Sequence, residues 1–211
     1  MDYSTKSNIY KTVDVKCAKT RASVLVVFSL MLISILFAIA LFLSPRIVEG
    51  ISMRPTFNAT TNSGDIVYII KQRAYHRGDI VVLSKNETQS NRDVIKRIIG
   101  IEGDKVEIRE ELNGLCKVYI NNKPYNEDYV SSQQDIKNTK KDFDSYRKSH
   151  NITENYITVG KGEIFVLGDN RASFASYDSA DYGTRKVSEV EGRVLIVIPD
   201  STRFFSLKIF W

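Results

Sequence analysis

Asp93-Val94-Ile95-Lys96-Arg97-Ile98-Ile99-Gly100-Ile101-Glu102-Gly103-Asp104 sets a lysine and an arginine side by side in an otherwise aliphatic run. Val and Ile at this length favour a strand. Alternation along a strand puts Lys96 on the side of Val94 and Ile98, and Arg97 on the other. A buried amine is costly unless it is neutral or well bonded. Lys96 is therefore either an edge-strand guard against aggregation or a base whose pKa an apolar wall pushes down from about 10.4. Working outward, strand-length stretches of Val and Ile recur at 66–70, 80–83, 94–99, 106–108, 118–120, 164–167 and 194–198. The pairs Gly64-Asp65, Gly78-Asp79, Gly103-Asp104 and Gly168-Asp169 punctuate them as turn signals. The pattern predicts a mainly β fold, a barrel or sandwich-like domain, and not helix-strand alternation.

Ahead of this domain, residues 23–43 read SVLVVFSLMLISILFAIALFL, with no charge and only serines as polar members. Such a run is long enough to cross a hydrocarbon core of about 30 Å as a helix. Secretory signals usually have apolar regions of only about 7–15 residues, so the segment reads as an uncleaved signal-anchor. Ala38-Ile39-Ala40 has the small-x-small form of a cleavage site, but it lies inside the apolar run, where a helix hides its backbone. Lys6, Lys11, Lys16, Lys19 and Arg21 against Asp2 and Asp14 place +3 of the chain's +5 net charge before the span. That placement sets orientation by the positive-inside rule and argues against nucleic-acid binding.

Three segments follow: a cytoplasmic basic tail over 1–22, the transmembrane anchor over 23–43, and an extracytoplasmic β-rich domain over 44–211. Cys17 and Cys116 then lie on opposite sides of the membrane and do not pair, and no Cys/His spacing suggests a metal or other cofactor. Residues 129–156 turn polar and read as an exposed loop, polar insertion or peripheral helix. The C-terminal stretch Phe204 to Trp211 suits either a final strand or contact with the membrane interface.

Immediately after the anchor comes Val48-Glu49-Gly50-Ile51-Ser52-Met53-Arg54-Pro55-Thr56-Phe57. A serine in a Gly/Pro-flanked loop usually serves only the turn, and a nucleophilic serine needs a base. The two histidines, His76 in a turn and His150 in the polar stretch, carry no triad pattern. A neutral lysine is the alternative base, and Lys96 meets that demand.

The serine segment, Arg77-Gly78-Asp79-Ile80-Val81-Val82, the lysine strand through Val106, and Gly162-Glu163-Ile164-Phe165-Val166-Leu167-Gly168-Asp169-Asn170-Arg171 stand in the order and approximate spacing of type I signal peptidases. The resemblance extends from the anchor to about Pro199 and looks like the Gram-positive branch. It implies a serine endopeptidase in a bacterial membrane, removing signal peptides from exported proteins with Ser52 as nucleophile and Lys96 as general base. It also implies an oxyanion donor at the Ser52 N–H. Substrate would add as a strand between Asp93-Val94-Ile95 and the Glu49-Gly50-Ile51 segment, with pockets for Ala-x-Ala sites. Gly168, Asp169 and Asp178 would support the dyad, with Ser176, or alternatively Ser173, orienting the lysine. Two departures stand out. Gly50 replaces a serine found in some members, and Ala172 to Ala175 lengthens the last motif by two residues, with Ala180 where an arginine is expected. Asp178 would then either turn to Arg171 or Arg185 or stand without a cation.

The expected partners are precursor proteins and membrane lipid, with the chain itself a monomer. A self-cleaving Ser/Lys repressor is disfavoured, because the chain has no Ala-Gly or Cys-Gly bond and carries an anchor in place of a DNA-binding head. The competing reading is a relative dedicated to surface or pilus assembly, with narrow or no peptidase activity.

Overall fold

The computed structural model describes residues 20–37, 43–48, 50–57, 64–72, 74–84, 93–130, 136–198 and 208–209. The chain divides into two units, Met1–Leu43 and Ser44–Trp211.

In the first unit, Thr20–Phe37 form one helix, α1, with mean hydropathy 2.1 and none of its length buried. Its 18 residues rise about 27 Å. Phe28, Leu30, Met31, Ile33 and Phe37 all stand exposed. A helix apolar on every face needs a hydrocarbon surrounding, and α1 fits a membrane anchor. The described helix includes Thr20 to Ala22, ahead of the expected span. The basic segment before it, with Cys17, and Ala38-Ile39-Ala40 lie outside the described residues.

The second unit is built from two antiparallel sheets. In chain order its elements are β1 (Ser44–Val48), β2 (Asp65–Ile70), β3 (Ile80–Leu83), β4 (Val94–Ile101), β5 (Lys105–Glu110), β6 (Cys116–Ile120), β7 (Lys123–Pro124), α2 (Ile136–Ser149), β8 (Ile157–Thr158), β9 (Glu163–Leu167), α3 (Ser179–Tyr182), β10 (Arg185–Lys186), β11 (Val190–Ile198) and β12 (Lys208–Ile209). The larger sheet has the order β1-β2-β11-β3-β4-β9-β10, with β12 also on β11, and the smaller runs β7-β6-β5-β8. Register shifts between Val190 and Gly192, between Val194 and Ile196, and between Ile98 and Gly100 interrupt the larger ladder. Extra residues of this kind bend and twist a sheet, and the larger sheet curls into a half-barrel.

Local sequence explains the elements. Ile80 to Leu83 are buried without exception, as befits a central strand covered on both faces. Cys116 to Ile120 alternate buried and half-buried, the period of a strand with one wet face. The four Gly-Asp pairs divide in two. Gly78 and Gly103 adopt φ of +90° and +85° and make turns. Gly64 and Gly168 are required by close approach, because a Cβ on either would collide with neighbouring backbone.

Three apolar clusters form the core. One joins Met53 and Phe57 to Val67, Ile69, Ile80, Val82, Ile95 and Val194. A second, on the other face of β3 and β4, gathers Val81, Leu83, Ile98, Ile164, Val166 and Val190. The third packs the smaller sheet and α2 against Ile99, Phe165 and Leu167 of the larger sheet. The polar stretch thus contains a helix, α2, that buries Ile136, Thr139 and Phe143 in the core. Cys116 is buried there as a free thiol, its pKa pushed up by burial. Of the C-terminal stretch, Lys208–Ile209 pair with β11, and its Phe and Trp residues fall outside the described set.

Candidate active site

β3 fixes Lys96. Val81 is its cross-strand partner, so Lys96 shares a face with Val81, Val94 and Ile98, inside the second apolar cluster. The lysine is 3% exposed. Burial pushes its amine down from the ordinary lysine value, and the carboxylates of Asp178, Asp181 and Asp169 pull upward without cancelling that effect. The result is an amine held toward its neutral, proton-accepting form.

Arg97 faces the other way and is also buried. Its Nε and Nη2 donate to the two carboxylate oxygens of Asp169 at 2.8 and 2.6 Å, and Nη1 donates to the Gly78 carbonyl at 3.0 Å. Thr56 Oγ1 donates to the same Asp169 carboxylate. The pair is fully compensated, as burial demands.

Ser52 lies half-buried in the turn that follows β1. Met53 and Phe57 anchor that turn in the first cluster. Arg54 N–H to Ile51 O at 3.1 Å and Phe57 N–H to Met53 O at 3.0 Å close it. Gly50, just ahead, has φ +97° and open space around its missing Cβ. No side chain at that position supplies an oxyanion donor.

The segment after β9 joins these parts. Asn170 N–H donates to Ser52 O at 2.9 Å, and Asn170 Nδ2 donates to Ile51 O at 3.0 Å. Gly168 N–H donates to Asp178 Oδ2 at 2.9 Å, and Ser176 Oγ donates to the same oxygen at 2.6 Å. A Cβ on Gly168 would come within 2.5 Å of Ser52 O and closer still to Ser176 Oγ. Glycine there lets the serine turn and Ser176 approach the end of β9 from two sides.

The structure therefore gathers Ser52, Gly168, Asp169, Ser176 and Asp178, and sets Lys96 within the field of Asp169 and Asp178. Ser173 is exposed on an outer turn closed by Ala175 N–H to Ala172 O at 3.1 Å. His76 and His150 are exposed, and His150 stacks on Tyr146. Glu49 lies outside the described residues. At the front of β4, Asp93 is exposed, Val94 half-buried and Ile95 buried. Pairing with β9 begins only at Arg97 opposite Leu167, so the β9 ladder does not extend along Val94 and Ile95.

One expectation takes a different form. Arg171 turns to Glu127 and to the Gly168 carbonyl, and Arg185 reaches Glu189. Asp178 accepts from Ser176, Gly168 and the Ala180 N–H at 3.2 Å, as the N-cap of α3, and acts on Arg171 through its charge. Sequence reasoning also missed Thr56, Glu127 and the Arg97–Asp169 pair. Two adjacent cations in one aliphatic strand were a signal that Arg97 needed a buried acid.

Residues 21–198 match the family model described as signal peptidase, peptidase S26. Similar proteins include signal peptidase I of Streptococcus pneumoniae serotype 4, 32% identical over 192 residues, covering 80% of this chain and 86% of that one. Signal peptidase I U of Bacillus subtilis strain 168 is 29% identical over 170 residues, covering 76% and 79%. A crystal structure of a signal peptidase I from Enterococcus faecalis V583 is similar at 28% identity and TM-score 0.39, over 58% of this chain and 98% of that one. With its motifs in order and the family model spanning most of its length, this chain belongs to the signal peptidase family, peptidase S26.

Proposed function

We propose that this membrane-anchored hydrolase removes signal peptides from exported precursors by Ser/Lys catalysis, with Ser52 as nucleophile and Lys96 as base. The reading is supported by the burial of Lys96, whose amine lies in the field of Asp178 and Asp169, and by the close approach of Ser52 O and Ser176 Oγ to Gly168, next to Asp169. Neutral Nζ takes the Ser52 hydroxyl proton as Oγ attacks the scissile carbonyl carbon. The Ser52 N–H steadies the oxyanion, an interaction type worth about 3–4 kcal/mol. Collapse of the intermediate expels the mature chain's amine, which takes the proton from Lys96 and leaves an acyl ester on Ser52. Water, giving a proton to Lys96, then hydrolyses the ester and frees the signal peptide. Ser176, placed between Gly168 and Asp178, orients the amine.

The front of β4 supplies the substrate edge, since Val94 and Ile95 lie ahead of the β9 pairing. An extended peptide adds there as a strand, facing the Gly50-Ile51 segment. Ile95, Met53 and Phe57, clustered in the core beneath, favour the small side chains of an Ala-x-Ala site. The basic segment before α1 orients the anchor with the N-terminus cytoplasmic and residues 44–211 outside. In this reading the enzyme acts as a monomer at the lipid surface. No observation favours a role restricted to pilus or surface assembly.

The test is cleavage of an Ala-x-Ala precursor by the detergent-solubilised full chain, with Ser52→Ala and Lys96→Ala alongside. Both substitutions are expected to abolish cleavage with the fold intact. In the wild type, kcat/KM should rise with pH through a pKa below the ordinary lysine value as Lys96 loses its proton. Retained cleavage in either variant would refute the dyad.

A further inference from the structure

A closed ring of polar groups, buried except for the half-buried Tyr129, surrounds the Gly168–Asp169 peptide. Asp169 is gripped by Arg97, and the Arg97 guanidinium lies 4.0 Å from the centre of the Tyr129 ring. Tyr129 Oη donates to Glu127 Oε1 at 2.9 Å. Arg171 Nη2 donates to the same Glu127 oxygen. Arg171 Nε donates to the Gly168 carbonyl at 2.6 Å, which closes the circuit.

Acids and bases alternate around this ring, two of each, so it is neutral as a unit. Glu127 and Arg171 are 4% and 3% exposed. Arg171 Nη1 is buried without a hydrogen-bond partner among the described residues; Glu127 is the carboxylate in contact with Arg171, and Asp178 adds to its field. Burial pushes the Tyr129 phenol up, so it keeps its proton and remains a donor.

Glu127 and Tyr129 belong to the segment between β7 and α2, outside every motif that carries the family resemblance. That segment is tied to the smaller sheet through Tyr125 N–H to Val118 O at 2.8 Å, and Val130 N–H to Glu127 O at 3.0 Å closes its turn. The smaller sheet thus reaches the end of β9, where Gly168 meets Ser52 O and Ser176 Oγ.

We infer that Glu127 and Tyr129 are positioning residues, through which the smaller sheet fixes Gly168 by way of Arg171 and so sets the spacing of Ser52, Ser176 and Asp178. The inference rests on the Ser52/Lys96 reading. Misplacement by about 1 Å can cost on the order of 100-fold in rate, while Glu127, Tyr129 and Arg171 lie on segments other than the strand that carries the substrate edge at Asp93 to Ile95. The effect therefore belongs in kcat and in the pH profile.

The experiment measures kcat, KM and the rising pH limb for the full-length solubilised enzyme on an Ala-x-Ala precursor, together with Tm. Glu127→Ala is expected to lower kcat on the order of 10–100-fold with KM within about twofold, and to displace the pH limb. Glu127→Gln keeps the acceptor oxygen and should recover part of that loss. Tyr129→Phe, which deletes a single hydroxyl, should lower kcat by a few-fold and carries the test if the Glu127 variants do not fold. A lowered Tm with wild-type kcat and pH limb would overturn the inference, as would a raised KM at unchanged kcat. Ser52→Ala and Lys96→Ala are run in parallel. If they are inactive while the ring variants match wild type, the ring inference alone fails; if they still cleave, the dyad reading fails and the ring loses its object.

Discussion

The end of β9 and the strands of the smaller sheet handle charge in opposite ways. At the end of β9, Arg97 and Asp169 leave 11% and 0% of their side chains exposed. Lys96 beside them is sealed as well. Along the strands of the smaller sheet and the turn leading into it, three ion pairs have an end in water: Arg77 with Asp104 at 40% and 4%, Arg109 with Glu107 at 38% and 12%, and Lys117 with Glu111 at 41% and 25%. Sealing a pair costs desolvation that Coulomb attraction only just offsets, whereas a rim pair costs little and contributes little. A protein gains no stability from choosing the sealed arrangement. Its presence around the end of β9 marks a place where geometry is held for chemistry.

The largest effect should come from breaking the sealed pair. Asp169→Asn leaves Arg97 buried without its counter-charge and Thr56 without its carboxylate acceptor. The expected cost is about 3–5 kcal/mol, measurable by denaturant unfolding of the solubilised protein. A loss as small as that of a rim pair would show that water reaches Arg97 and would erase the contrast between the end of β9 and the smaller sheet's strands.

Much of this contrast was readable from the chain, and the remainder was hidden for definite reasons. The seven Val/Ile stretches became β2, β3, β4, β5, β6, β9 and β11, because burial on one or both faces leaves a periodic trace within each strand. β1 escaped notice since Ser44-Pro45-Arg46 reads as a helix stop; the proline sits in an edge strand, where a missing N–H is tolerated. β7, β8, β10 and β12 have two residues each, too few to show a period. α2 stood out poorly because Ile136, Thr139 and Phe143 are the buried members of a polar 14-residue helix. Lys96 was legible because an amine in an aliphatic strand is a local anomaly. Glu127 was not, since its partner Arg171 is 44 positions away and neither residue looks odd among its neighbours.

Next in size is the half-open pair. Asp104 accepts from both Arg77 nitrogens at 2.6 and 2.5 Å, from Ile101 N–H at 2.9 Å and from Asn121 at 2.9 Å. Burial raises its pKa, but Arg77 and the other donors outweigh that and hold it below the ordinary carboxylate value. A depressed carboxylate contributes stability above its unfolded pKa of about 4 and loses it as pH falls through the folded value. Asp104→Asn should cost about 1–2 kcal/mol at neutral pH, less than Asp169→Asn because Arg77 is partly screened by water. The gap from wild type should close in acid, below pH 4. A gap that stays constant with pH would mean that packing, and not charge, holds this turn.

The smallest effect sharpens the comparison most, because it separates stability from chemistry at one carboxylate. Asp181 caps α3, accepting the Asp178 N–H at 2.9 Å. Burial, with Asp178 and Asp142 nearby, nevertheless raises its pKa to about 6. The sign is opposite to that of Asp104: the folded state binds the proton more tightly, so stability falls as pH rises from about 4 to about 6. Asp181→Asn keeps an acceptor for the cap and removes the charge. It should stabilise the protein above pH 6, by less than about 1 kcal/mol since the group is half-exposed, and give nothing below pH 4. The same charge holds the Lys96 amine up, so its removal should shift the rising limb of kcat/KM to lower pH. A stabilised variant with an unmoved limb would place Asp181 outside the reach of Lys96, and the charge buried by the larger sheet would then reduce, at this residue, to helix capping.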